Sequence, residues 1–316
     1  MNVVYSTDDN YAQHVGVSLI SLFENNLEFE QITVFLIENN ITNINKKKLK
    51  SICIRYNRAI HFINFNIILN QLKLNINNSI SINAYARLFL SSFIDSNINK
   101  ILYLDCDSII NDSLSDLWKY NIKNYYVAGV ADTVSDLTKF SINMSTENIY
   151  INSGVLLINL KKWRENNIEQ KFIKFISDRQ GNVFHHDQGV LNGTLKEKIL
   201  VLPPKYNAMT IFFTMNRNEI FIYYGMKEYC YNVSELKEAK DKPVIIHFTP
   251  AFVNRPWIKG CKHPFNYLYQ KYLKMSPWKE TQLLKDQRKL GEKIVAFMFN
   301  YFPFKVANNI TNFIFK

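Results

Sequence analysis

The chain has 316 residues, 47% hydrophobic and 21% charged, and carries a formal net charge of +11. Such a composition excludes a disordered or collagen-like chain and leaves room for one large α/β domain or two small ones. The four cysteines, Cys53, Cys106, Cys230 and Cys261, form no CxxC pair, so neither a zinc site nor a disulfide framework is expected and a reducing compartment fits.

The N-terminal MNVVYSTDDN lacks a basic stretch followed by an apolar one, so no secretory leader is expected. No apolar run approaches the ~20 residues needed to cross a bilayer, and a cytoplasmic location is the expectation. Residues 2–6, 32–38, 59–65, 101–105 and 125–132 are short, β-branched or aromatic runs ended by polar residues, and they predict strands. Between the first two, Tyr11, Val15, Ser18, Leu19 and Leu22 repeat at helical spacing behind the cap candidates Thr7, Asp8 and Asp9. This alternation predicts an α/β fold, with a mainly parallel sheet covered by helices and ligands gathered at the carboxyl ends of its strands. A strand over 150–160, a helix from about Lys161, a loop entering a short helix at 185–195 and a strand over 243–248 follow. Residues 279–316 read as helical until Pro303.

Charge is uneven along the chain. From Lys259 onward 11 basic side chains stand against 3 acidic ones, which suits an anionic membrane surface or a nucleic acid. The same tail carries Ile294, Val295, Phe297, Met298, Phe299, Tyr301, Phe302, Phe304, Phe313 and Phe315. Basic residues beside such aromatics predict an interfacial membrane anchor, set against the alternative that the last helix docks on the body.

The chemistry is concentrated where strand 101–105 ends in Asp105-Cys106-Asp107. In extended geometry positions i and i+2 face one side, so both carboxylates can reach one hard cation, Mg²⁺ or Mn²⁺, that also holds a diphosphate. Alone, the pair is as compatible with solvated turn formers, or with a phosphatase that uses Asp105 as nucleophile. That phosphatase needs a later Gly-Asp-x-x-x-Asp, and none of the nine glycines is followed by Asp. The glycines equally exclude Gly-x-Gly-x-x-Gly and the P-loop. A basic nucleic-acid-binding protein is the non-enzymatic alternative; its charge would lie in an apolar tail, so no nucleic-acid partner is expected.

Six segments in order resemble glycosyltransferase family 8, and within it the bacterial lipooligosaccharide α-galactosyltransferase branch. They are Tyr5–Tyr11, Tyr85-Ala86-Arg87-Leu88, Tyr103–Ser108, Asn152–Asn159, His186–Asn192, and His247-Phe248 followed by Arg255-Pro256-Trp257. The resemblance implies a GT-A domain over residues 1–278 with a helical appendage over 279–316. It implies a retaining hexosyltransferase that takes glucose or galactose from a UDP-sugar. Its acceptor would be a cell-surface glycan, glycolipid or glycoprotein, and the tail would give peripheral contact with the inner face of the membrane. Position by position it implies Asp105, Asp107 and His247 as metal ligands, with Mn²⁺ favoured over Mg²⁺ by the imidazole. Asp8 and Asn10 would meet the uridine, and Arg87 the diphosphate and sugar. Asp132, Asn152, Asp187 and Gln188 would surround the hexose, with Asp187 and Gln188 at the reacting face. One departure stands out. Pro250 and Arg255 occupy places where the family carries Gly and Lys, which makes Arg255 and Lys259 the candidates for neutralising the diphosphate.

Overall fold

The structure, a computed structural model, describes residues 1–66 and 85–315. Its centre is a seven-stranded sheet in the order β3-β2-β1-β4-β7-β6-β8. The strands are β1 (Asn2–Asp8), β2 (Thr33–Asn39), β3 (Ala59–Asn64), β4 (Lys100–Leu104), β6 (Val127–Ala131), β7 (Ile151–Asn159) and β8 (Ile199–Val201). All neighbours pair parallel except β7, which runs antiparallel to both β4 and β6. The mainly parallel sheet of the sequence reading is therefore present. A second sheet, β5-β10-β9, joins β5 (Ser108–Ile110), β10 (Ile245–His247) and β9 (Ala208–Met209).

Side-chain alternation along the central strands of the seven-stranded sheet feeds two cores, one per face. On β4, Ile101 and Tyr103 enter one cluster while Leu102 and Leu104 enter the other. The helix Ala12–Glu24 buries nearly its whole circumference, from Ala12 to Phe23, rather than one stripe. It is covered on its outer side by the helices Asn43–Arg55 and Asn266–Met275, and a helix enclosed on all sides has no solvent face to keep polar. Asp8 caps the 3₁₀ turn Asp9–Tyr11 that leads into it. Asp9 instead accepts from the Thr42 amide and hydroxyl and from Asn45, pinning the entry of the next helix.

The C-terminal region departs from its expectation. Residues 279–289 are irregular, tied to the body by Leu284 N to Trp257 O (2.8 Å) and Lys259 N to Leu284 O (2.9 Å). Helices then run over Leu290–Tyr301 and, beyond Pro303, over Phe304–Phe315. Proline has no amide hydrogen to place in a helix but fits ahead of a helix's first turn, so Pro303 separates two helices instead of ending the helical region. Among the described residues no helix is long and apolar enough to cross a membrane.

Candidate active site

The sheet order changes direction between β1 and β4, where β2 and β3 lie to one side and β7 and β6 to the other. In open α/β sheets such a crevice at the carboxyl ends of the strands is where ligands bind. Asp8 ends β1 and Asp105 follows β4. Asp105 and Asp107 are brought together by a turn, not by the extended geometry expected from their spacing. Asp105 N donates to Gly154 O of β7 at 2.7 Å, after which the chain turns, closed by Ser108 Oγ donating to the Asp105 carbonyl at 2.7 Å. Cys106 points away to the Ser6 carbonyl. β10 lies antiparallel to β5 with His247 opposite Ser108. Ligand atoms of Asp105, Asp107 and His247 consequently lie within 4.8 Å of one another.

This donor set fits a divalent cation. Two hard carboxylates and one imidazole converge, with His247 Nε2 at 3.1 Å from Asp107 and 3.8 Å from Asp105. Their crowding is possible because residue 154 has no side chain: a Cβ there would stand 2.2 Å from His247 Cε1 and 2.9 Å from Asp105 Oδ2. Burial pushes the Asp107 carboxyl up, but His247 and Arg255 outweigh it and hold the group below the usual carboxylate range. Burial pulls His247 down, and the two aspartates overcome this and raise it above its ordinary value.

Arg87 is buried beside this cluster. Its Nη2 lies 3.0 Å from Asp105 Oδ1, its Nε 3.0 Å from Asp187 Oδ2, and its Nη1 donates to the Ser153 carbonyl at 2.6 Å. The guanidinium also sits over the Tyr103 ring, 4.6 Å from its centroid. Burial opposes its charge, but the two carboxylates hold it firmly protonated. Asp187, buried itself, is raised by desolvation against the pull of Arg87.

Two cavities meet at Arg87 and Asp105. One, of about 420 Å³, is lined by Asp8, Tyr11, Cys106, Asp107 and Arg255 among others. The other, of about 500 Å³, is walled by Asp132, Asn152, Ser153, Asp187 and Gln188. In the second, Gln188 Nε2 donates to Asp132 Oδ2 (2.9 Å) while its Oε1 accepts from Ser153 N (2.9 Å) and Asn152 Nδ2 (3.2 Å). Its amide is thus fixed in one orientation. Ten of the twelve sequence-selected residues are gathered here. Asn10 and Lys259 are not: both are exposed and line neither cavity. Of the two basic candidates after His247, Arg255 reaches the cluster, with Nη2 3.3 Å from Asp107 Oδ2. The longer loop after His247 still turns back, because Arg255 Nε donates to the Phe248 carbonyl.

Residues 2–261 match the family described as Glycosyl transferase family 8. The chain belongs to glycosyltransferase family 8. General stress protein A of Bacillus subtilis is 30% identical over 282 residues, which cover 88% of this chain and 94% of that protein. The lipopolysaccharide 1,3-galactosyltransferase of Salmonella typhimurium is 24% identical over 90% of this chain and 80% of its own. A crystal structure of the galactosyltransferase LgtC, in complex with donor and acceptor sugar analogs, superposes with a TM-score of 0.71 at 25% identity, covering 88% of this chain and 96% of that one. This family 8 chain therefore has the GT-A fold and is a hexosyltransferase with a divalent-metal site, which displaces the phosphatase and nucleic-acid readings. Sequence reasoning did not select Tyr11, Tyr103, Ser153 or Asn207 as site residues. Tyr11, Tyr103 and Ser153 lay inside the matching segments and could have been found by adjacency; Asn207 carried no signal.

Proposed function

We propose that this enzyme transfers glucose or galactose from its UDP-sugar, with retention of configuration and with Mn²⁺, to a cell-surface glycan, glycolipid or glycoprotein. The observation that carries the reading is the position of the metal cluster at the junction of the two cavities, where a diphosphate would lie if the nucleoside and the hexose filled one cavity each. Three carboxylates, Asp105, Asp107 and Asp187, face two guanidiniums there, so an anionic diphosphate needs added positive charge. A cation held by Asp105, Asp107 and His247 supplies that charge and stabilises the departing UDP; the imidazole suits Mn²⁺ better than Mg²⁺.

The chain's own groups do the rest. Arg255 and Arg87 present fixed N–H forks to phosphate oxygens. Asp8 lines the nucleoside end, where the Tyr11 ring offers an apolar face to a base. Asp132, Asn152 and Asp187 supply acceptors and donors to hexose hydroxyls, and Gln188, held by Asp132 and Ser153, stands at the reacting face. Glucosyl- and galactosyltransferases of lipopolysaccharide among the relatives support both the sugar class and the acceptor class.

Peripheral membrane contact through the tail is part of the reading. On the helix Leu290–Tyr301 one side packs on the body, with Ala296 buried and Phe299 stacked on Phe252. Leu290, Ile294, Phe297 and Tyr301, spaced four, three and four residues apart, stay exposed, as does Phe313. That stripe beside lysines is the pattern of an interfacial helix. The test of the whole reading is UDP release across nucleotide sugars with and without Mn²⁺, in wild type and Asp105→Asn. Loss of release on chelation and in the variant is expected; undiminished release in Asp105→Asn removes the metal assignment.

A further inference from the structure

A run of buried amide side chains joins the metal cluster to the hexose cavity, and its middle link is Asn207. This residue ends the 3₁₀ turn Pro204–Asn207, is fully buried, and precedes β9, whose Met209 is paired with His247. Its orientation follows from a group that can only donate. The Gly154 backbone N–H meets an Asn152 side-chain atom at 2.9 Å, so that atom is Oδ1. The Asn207 atom 2.9 Å from the same oxygen is then Nδ2. Asn207 Oδ1 is left facing His247 Nδ1 at 2.9 Å, and the imidazole carries a proton there. With Nδ1 so occupied, Nε2, which here lies 3.1 Å from Asp107 Oδ1, is the nitrogen whose lone pair a cation would take on displacing that contact. On its far side Asn152 Nδ2 donates to Asp132 Oδ2 at 3.0 Å and to Gln188 Oε1 at 3.2 Å.

We propose that Asn207 is the positioning residue that sets the tautomer and ring orientation of His247 and, through Asn152, ties the metal centre to the wall that holds the donor hexose. Its two side-chain atoms divide the work: Oδ1 serves the metal side and Nδ2 the sugar side. The inference rests on the cation and nucleotide-sugar reading above.

Two substitutions in the full chain separate the roles. Asn207→Ala removes both atoms, and Mn²⁺ affinity, titrated by calorimetry with UDP present, falls by about 10- to 100-fold, as loss of a partner behind a ligating histidine does. Asn207→Asp keeps an oxygen toward His247 Nδ1 and loses the donor to Asn152. It binds Mn²⁺ no more weakly than wild type and leaves UDP affinity unchanged, but weakens whichever of UDP-glucose or UDP-galactose the wild type turns over. The proposal is overturned if Asn207→Ala binds Mn²⁺ as wild type does, if Asn207→Asp loses Mn²⁺ as far as Asn207→Ala, or if Asn207→Asp keeps full nucleotide-sugar affinity. Should Asn207→Ala fail to fold, Asn207→Asp decides alone. Wild-type protein that binds neither Mn²⁺ nor UDP would overturn the underlying reading instead, a result distinct from any of these.

Discussion

Gly154→Ala tests whether the metal cluster depends on a missing side chain. The new Cβ would stand 2.2 Å from His247 Cε1, 2.8 Å from Nδ1 and 2.9 Å from Asp105 Oδ2. Ordinary carbon contacts lie at about 3.5–4.0 Å, so the imidazole has to retreat by roughly 1.5 Å. It has little room to do so. The ring is buried, held by Asn207, and carried on the central strand of the three-stranded sheet. The backbone cannot slide either, because Gly154 O accepts from Asp105 N at 2.7 Å. A displacement of about 1 Å in a site of this kind costs about 100-fold in rate, and overpacking costs about 1–3 kcal/mol of stability. Gly129→Ala is the control, since its Cβ meets the aliphatic ends of Ile151 (2.7 Å) and Leu156 (3.2 Å) instead. Mn²⁺ titration, UDP release and thermal melting should show lower stability in both variants and lost metal affinity only in Gly154→Ala. Wild-type Mn²⁺ affinity and turnover in Gly154→Ala would refute the reasoning.

Arg255→Ala should weaken UDP binding by roughly 10- to 100-fold, as loss of a charged hydrogen bond of about 1.5–3 kcal/mol does, while Lys259→Ala stays near wild type; calorimetry with UDP and Mn²⁺ showing the reverse order would transfer the phosphate role to Lys259. His14 is lowered by burial to about 4, so below pH 6.5 the unfolded chain takes up a proton that the folded one refuses. Stability then falls as pH drops from 6.5 to 4, by about 3 kcal/mol from this residue, and is unaffected by it above 6.5. His263, also lowered to about 4 by burial, adds to the same slope. Melting temperatures of His14→Gln should depend less steeply on pH across that window, and a profile parallel to wild type would show that His14 is not responsible. Replacing Phe297 and Phe313, 53% and 90% exposed, by Asp should release the protein from anionic vesicles while melting temperature and UDP release stay put; unchanged co-sedimentation would remove the anchor.

The parallel β1, β2 and β4 were legible because buried strands must be continuous apolar runs, and the edge strand β3, which has no buried residue, was legible from its β-branched and aromatic residues; each run fell within about two residues of its strand. β5, β8 and β9 were not, being two or three residues long and existing only because a neighbour pairs with them. The site divides along the same line. Asp105, Asp107, Arg87, Gln188 and His247 could be named from short segments whose order is that of a family. That Arg255 and not Lys259 reaches Asp107, and that the tail both docks through Phe299 and keeps Phe297 outside, depends on how a loop and a helix close over the body.

Local sequence determined the longer strands and helices and most of the carboxylates and amides, with the imidazole, that the site holds, because burial periodicity and residue chemistry are written along the chain. Only the tertiary structure decided that His247 joins Asp105 and Asp107, that Gly154 leaves the space for it, and that Asn207, 40 residues before that histidine, meets its Nδ1. Contacts between distant segments depend on where the whole sheet puts them, and no window of sequence contains both partners.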